Sequence, residues 1–128
     1  MKLNTDCIRD ILIAVESIPY GSIWTMDNIE EVLPDYTSEE LEYHLIKLHE
    51  AGYLDIVTLQ LLGSPLQVAR IKDLTYEGHQ FLADIRSDTT WNKTKEIAKS
   101  VGSTSLHSIK EIATGVITSL IQNQLGLH

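Results

Sequence analysis

The sequence has little from which covalent or catalytic chemistry could be built. It contains one cysteine, Cys7, in 128 residues, which excludes an internal disulfide. HExxH, CxxC and GxSxG motifs and a glycine-rich phosphate loop are all missing from it, and these are the usual sequence signatures of metal, hydrolase and phosphate-binding sites. We therefore expect no metal, no cofactor and no catalytic residues.

Long apolar runs are missing as well. The opening MKLNTDCIRDILIAVESI has acidic and polar residues where a secretory signal needs an unbroken apolar core. The most apolar stretch, residues 106–121, is interrupted by polar and charged side chains, so it cannot supply the ~20 mostly apolar residues of a membrane span. We predict a cytoplasmic protein with no membrane partner and a length that suits one compact domain.

Positive charge is scarce in the first part of the chain. Residues 1–52 hold three basic and eleven acidic residues, a net charge of −8, whereas residues 53–128 hold seven of each sign. The excess of negative charge therefore lies entirely in the first 52 residues. It weighs against DNA, a polyanion, as the ligand of that region.

Three amphipathic helices are predicted in this acidic region. The first covers about residues 5–18, with Asn4 or Thr5 as N-cap, and the second covers about residues 25–33. The third covers residues 38–51, where Leu41, Leu45 and Leu48 recur at helical spacing. Thr37 and Glu40 fit a capping box at its start, and Gly52 is expected to end it in a left-handed conformation.

The periodicity changes after the third helix. YLDIVTLQLL and LQVARIK are rich in β-branched and apolar residues and flank a GSP turn, so we predict a β-hairpin over residues 53–73. Thr75 should cap a fourth helix, and Gly78 should lie on its buried face and allow a close helix approach. In this helix Glu77 and His79 point about 200° apart, which excludes an acid–base dyad.

This order of elements predicts a mainly α (α+β) fold of the winged helix-turn-helix type, with a two-stranded β-hairpin wing and a C-terminal helical extension. The winged-helix domain would span residues 1–86. The extension, residues 87–128, would pack on the same domain or form a dimer interface. It should contain a fifth helix capped by Ser87 or Asp88 and a sixth helix over about residues 105–125.

The sixth helix carries a long apolar stripe with 3-4-3-4 spacing, which has to be covered. Packing within the chain and pairing with a second copy both remain open. A membrane surface fits less well, because Lys110 is the helix's one basic residue. The candidate homodimer interface consists of Ile109, Ala113, Val116 and Leu120.

The outward face of the third helix is acidic for a DNA-recognition helix. It forms our candidate partner-binding surface, made of Glu39, Glu42, Tyr43, Ile46, Lys47 and Glu50. Three carboxylates against one lysine should repel phosphates, so we expect a non-enzymatic protein-interaction or regulatory adaptor. The alternative is a DNA-binding transcriptional regulator that uses basic residues of the wing and the fifth helix: Arg70, Lys72, Lys93, Lys95 and Lys99.

The sequence resembles a family of short, uncharacterised bacterial and prophage proteins. MKLNTDCIRDIL, YHLIKLHEAGYLD and, most specifically, the pattern LTxxGxxFL followed by WxK carry the resemblance, here as Leu74, Thr75, Gly78, Phe81, Leu82, Trp91 and Lys93. The family is classed as a domain of unknown function and is similar to the YjcQ-like winged-helix proteins. It implies a winged helix with C-terminal helices and no catalytic residues, and its prophage association implies a regulatory role.

Overall fold

The computed structural model describes residues 1–126, and these contain six helices and one two-stranded sheet, a mainly helical α+β fold. Every predicted helix and both predicted strands are present, with end differences of the size that helix boundaries normally show. In chain order the elements are α1 (Thr5–Glu16), α2 (Met26–Val32), α3 (Ser38–Glu50), β1 (Leu54–Leu59), β2 (Gln67–Leu74), α4 (Tyr76–Ile85), α5 (Asp88–Val101) and α6 (Leu106–Gln124).

The chain divides into two compact units. Unit 1 spans Met1–His79 and unit 2 begins at Gln80, so the division falls inside α4 and not at its end. In unit 1, α1, α2 and α3 contact one another and the β-hairpin. Their shared core is aliphatic, and its fully buried members include Ile8, Ile11, Leu12, Val15, Ile29, Leu41, Leu45, Leu48 and Ile71.

Local sequence determines the helix ends much as predicted. The Asn4 side chain caps α1 by accepting hydrogen bonds from two backbone N–H groups of its first turn. The Thr37 hydroxyl accepts a hydrogen bond from the Glu40 N–H at 3.1 Å and so caps α3, which is one half of the predicted capping box. After α3, Gly52 has φ +87°, the left-handed conformation predicted for it.

The β-hairpin is antiparallel and irregular. Two register shifts leave Ala69 and Lys72 of β2 without a residue directly opposite on β1, which is the arrangement of a β-bulge. The buried residues of β2 consequently fall at every third position, as Val68, Ile71 and Leu74. The bulges explain why the sequence of this region lacks a strict apolar alternation.

A short third segment pairs with β2. Trp24 and Ile71 form an antiparallel bridge in which the Trp24 N–H donates to the Ile71 carbonyl at 2.9 Å and the Ile71 N–H donates back at 2.7 Å. The sequence gives no sign of this bridge, because a single residue has no periodicity. The bridge places the segment between α1 and α2 beside the hairpin.

Thr75 and Gly78 connect α4 to the end of α3. The Thr75 hydroxyl donates to the Gly52 carbonyl at 2.5 Å and accepts from the Gly78 N–H at 3.0 Å, so it caps α4 as predicted. A Cβ atom on Gly78 would lie 2.1 Å from the Tyr53 carbonyl oxygen. A close approach at Gly78 is therefore present, but the approaching backbone is the turn between α3 and β1 and not a second helix.

Unit 2 contains α5 and α6, which contact each other. The short connection, residues 102–105, makes the two helices antiparallel. Ser87 caps α5 and Ser105 caps α6, and each hydroxyl accepts a backbone N–H at 3.1 Å. The buried positions of the pair are Thr90, Trp91, Thr94 and Ala98 on α5 and Ile109 and Ala113 on α6.

Candidate interaction surfaces

The outward side of α3 is charged, and its lysine is paired with neighbouring side chains of the same helix. Glu39 and Glu50 are exposed, whereas Tyr43, Ile46 and Lys47 are half-buried; we call these five residues the α3 surface. The Lys47 ammonium lies 3.1 Å from the Glu50 carboxylate and 5.5 Å from the centre of the Tyr43 ring. The hydrogen bond to Glu50 raises the pKa of Lys47. The one cation of this surface is therefore already engaged by its neighbours.

Glu42, which the sequence groups with the α3 surface, faces the hairpin instead. Its carboxylate accepts a hydrogen bond from the Val68 N–H of β2 at 3.0 Å, and its side chain is half-buried. The position lies about 60° around the helix from Glu39, and this rotation is enough to turn it from solvent to β2. A charge-assisted hydrogen bond of this kind fixes the hairpin to α3, so Glu42 is less free for a partner than predicted.

The loop between β1 and β2 exposes leucine side chains. Leu59, Leu61 and Leu62 are 48%, 56% and 105% exposed, and residues 60–66 contain no basic side chain; we call residues 59–66 the hairpin tip. Exposed apolar patches frequently mark interaction sites. The sequence contains this signal, since QLLGSPL is apolar where turns are usually polar, but the GSP turn within it indicates only a hairpin connection.

The basic residues of the nucleic-acid alternative belong to both units. Arg70 and Lys72 are exposed on β2 in unit 1. Lys93, Lys95 and Lys99 lie on α5 in unit 2, where residues two positions apart point in nearly opposite directions. Lys93 lies beside α6, whereas the Lys95 ammonium lies 5.7 Å from the centre of the Trp91 ring. The lysines of α5 therefore do not form one continuous row.

Buried polar groups of unit 1 are occupied in packing and hydrogen bonding. Burial raises the pKa of the Cys7 thiol to about 12, and the charges of Glu40 and Asp10 add to this shift. The His44 ring accepts the Asn4 N–H on Nε2 at 2.8 Å, and its Nδ1 lies 2.7 Å from the Glu40 carbonyl. Both contacts are satisfied by a neutral ring protonated on Nδ1, so neither Cys7 nor His44 is available as a nucleophile or ligand.

The other ionisable side chains do not assemble into a metal site. Throughout residues 1–126, no three His, Cys, Asp or Glu side chains lie close enough together to hold a metal ion. His79 lies 4.0 Å from Asp73, on the exposed side of the hairpin end. Among the helices within residues 1–126, none has the length and apolar character that crossing a membrane requires.

An open apolar groove of about 880 Å³ runs between α5 and α6. Its apolar lining consists of Ile97 from α5 and Ile112, Val116 and Leu120 from α6, with Gly115 and Ser119 beside them; we call it the α5–α6 groove. The predicted dimer-interface residues differ in exposure, because Ile109 and Ala113 are fully buried whereas Leu120 is 43% exposed. Only the second half of the predicted stripe lies in the groove.

These features define a mainly helical α+β protein with an acidic first unit and a helical-pair second unit. The chain belongs to the family described as "Hypothetical protein (DUF2513)", which it matches over residues 2–105. It is also similar to an "Uncharacterized protein" of Haemophilus influenzae, with 34% identity over 126 residues that cover 94% of this chain and 99% of the relative. No solved structure matches it significantly. The predicted resemblance to a family of uncharacterised proteins is thereby confirmed.

Proposed function

We propose that unit 1 is a winged helix-turn-helix domain and that the protein is a non-enzymatic protein-interaction or regulatory adaptor. The order of elements supports the fold assignment, with α2 and α3 as the helix-turn-helix pair and the hairpin as the wing. The Trp24–Ile71 bridge adds support, because winged helices carry a short strand between their first two helices that pairs with the wing.

The observation that carries the functional proposal is the charge of unit 1. It holds five basic and 14 acidic residues, a net charge of −9. Binding to a duplex requires cations that neutralise phosphates, and the lysine of α3 is already paired with Glu50. A protein with a basic surface is instead attracted by the negative electrostatic potential of unit 1. The exposed leucines of the hairpin tip add apolar contact of the kind that protein interfaces use.

The regulatory context rests on resemblance alone. The resemblance to prophage proteins in the sequence is the basis for proposing control of a host or phage process, and a shared fold does not fix a function. The adaptor proposal is therefore tested on the surface itself and not on the biological setting.

Affinity capture from the native host with paired variants tests this surface. Glu39→Lys with Glu50→Lys reverses the two exposed carboxylates of the α3 surface. Glu31→Lys with Asp35→Lys makes the same change of net charge at exposed positions elsewhere in unit 1. We expect a basic protein to be captured by the wild type and the second variant and to be lost from the first. Capture that is equal in all three proteins would contradict the proposal.

The exposure of Arg70 and Lys72 on β2 supports the alternative, a DNA-binding regulator. The DNA-binding alternative predicts that mixed-sequence duplex DNA binds the protein at micromolar concentration in low salt and that the affinity falls steeply as salt rises. It also predicts loss of binding in Arg70→Ala with Lys72→Ala. Fluorescence anisotropy with a labelled duplex measures both. The adaptor proposal expects no binding, and salt-dependent binding that this variant abolishes would replace the adaptor with the regulator.

A further inference from the structure

The second half of α6 is an exposed apolar surface. Residues 112–126 contain no charged side chain. Within this stretch Leu120, Ile121 and Leu125 are 43%, 53% and 68% exposed, whereas Ile109 and Ala113 earlier in the helix are fully buried. The apolar stripe that packs in the first half of α6 thus continues beyond the part that is covered. Exposed apolar side chains of this kind frequently mark an interaction site, and of the three Leu120 lines the α5–α6 groove.

The α5–α6 groove follows this exposed half and has the dimensions of a helix-binding site. Its lining extends along α5 from Thr89 to Ile97 and along α6 from Ile112 to Asn123, which correspond to roughly 12 Å and 16 Å at the rise of an α-helix. A groove of this length accommodates about two to three helical turns. Its open shape suits a helix laid along it better than a small molecule, which binds in pockets that enclose most of its surface.

Gly115 in this groove is not required by the isolated chain. A Cβ atom at Gly115 would meet no atom within 4 Å, yet glycine inside a helix is less stable than alanine because it loses more conformational freedom on folding. A helix arriving from outside supplies a reason for a small residue, because glycine and serine one turn apart let two helix backbones approach closely. Ser119 lies one turn after Gly115 and lines the same groove.

The charges of the groove fit a second copy of the same surface. Lys93 and Glu96 lie at its α5 edge and carry opposite charges, and α6 contributes no charge to the lining. Two such surfaces meet without net repulsion, whereas a strongly basic or acidic partner would gain nothing from them. The net charge of +1 on unit 2, from five basic and four acidic residues, agrees with this.

We propose that the α5–α6 pair docks against the same pair of a second copy across a two-fold axis, so that the four helices form a bundle. Each α6 would lie in the groove of the other chain, a self-complementary contact of the type found in symmetric dimers. The centre of this interface is Ile112, Val116 and Leu120, with Gly115 at the closest approach. Ile109 and Ala113, predicted as interface residues, are instead already buried. The proposal does not depend on what unit 1 binds.

Sedimentation velocity of the full chain over a micromolar concentration series tests the dimer. We expect the wild type to be dimeric and Gly115→Leu to be monomeric at the same concentrations. Far-ultraviolet circular dichroism should show the same helix content in both proteins, since the side chain has room in the isolated chain. The dissociation constant should rise about tenfold or more, the size of effect expected when a central interface residue is disrupted.

A matched pair of charged variants identifies the face. Ser119→Glu and Thr114→Glu place the same charge at two exposed positions of α6, but Ser119 lines the groove and Thr114 points about 140° away. Ser119→Glu should dissociate the dimer, and Thr114→Glu should leave it intact. A wild type that is monomeric overturns the proposal. A dimer that survives both Gly115→Leu and Ser119→Glu, or that Thr114→Glu dissociates equally, also overturns it.

Discussion

The two units of this protein use charge in opposite ways. Unit 1 carries −9 and unit 2 carries +1. Unit 1 also uses polar groups to join distant parts of its chain, as in the hydrogen bonds from Asn4 to His44 and from Val68 to Glu42. The caps of α5 and α6 instead use local hydrogen bonds, from the Thr90 N–H to Ser87 and from the Ser108 N–H to Ser105. One chain thus combines a strongly acidic unit with a unit of almost balanced charge, and we propose a different kind of partner for each.

Each unit has a glycine inside a helix, and replacing the two glycines compares how closely the two units are packed around them. The largest change in the free energy of unfolding is expected in unit 1. Gly78→Leu should lower the free energy of unfolding by about 3 kcal/mol through overpacking, because its Cβ would lie 2.1 Å from a backbone oxygen that cannot rotate away. Gly115→Leu, with open space around it, is the matched control. At protein concentrations low enough for the wild type to be monomeric, this variant should unfold at a urea concentration at least as high as the wild type does. Urea unfolding measures both, and a wild-type curve for Gly78→Leu would refute the close approach.

A smaller effect, about 1.4 kcal/mol at pH 10, is expected from alkaline pH through Cys7. Burial raises the pKa of this thiol from 9.0 to about 12, so between these values the unfolded chain has lost a proton that the folded chain keeps. Stability should therefore fall as pH rises above 9, by about 1.4 kcal/mol per pH unit, and this group should contribute no slope below pH 9.

Urea unfolding at several alkaline pH values, in the wild type and in Cys7→Ala, isolates the contribution of the thiol. Burial also raises the pKa of Tyr36, assisted by the hydrogen bond that its hydroxyl donates to Asp10, but this tyrosine is common to both proteins. Only the difference in slope belongs to Cys7. We expect the slope to be shallower in Cys7→Ala, and identical slopes would contradict the assignment.

The smallest effect should distinguish a structural glutamate from an interacting one. Glu42→Ala removes the acceptor of the Val68 N–H and should lower the free energy of unfolding by about 1 kcal/mol, whereas Glu39→Ala, at an exposed position, should change it little. Partner capture should show the reverse order, with a greater loss in Glu39→Ala. Equal free energies of unfolding in the two variants would contradict the structural role of Glu42 and return it to the candidate partner-binding residues.

The elements of the fold were predictable because their signals are local. The hydroxyls of Thr37, Thr75 and Ser87 each accept a backbone N–H within one helical turn, so the sequence contains both partners of each of these capping bonds. The Trp24–Ile71 bridge was not predictable, because its two residues are distant in sequence and Trp24 belongs to no periodic pattern. The three-residue spacing of buried positions in β2 was hidden for a related reason, since bulges leave no fixed sequence signature.

The candidate surfaces were predictable in part. A helical wheel correctly placed Glu39 and Glu50 outward, but it cannot tell which flank of α3 the hairpin will cover, and so it misplaced Glu42. The apolar stripe of α6 was evident from its spacing. Which half of it is covered depends on the partner helix: α6 has 19 residues and α5 has 14, and the exposed half follows from their packing as an antiparallel pair.

Sedimentation velocity of the full chain with a fluorescently labelled DNA duplex at low salt tests the contrast between the units most directly. One run reports both the mass of the protein and the movement of the DNA. We predict that the protein sediments as a dimer while the duplex sediments alone. A monomeric protein, or a duplex that sediments with the protein and is released as salt is raised, would contradict the account.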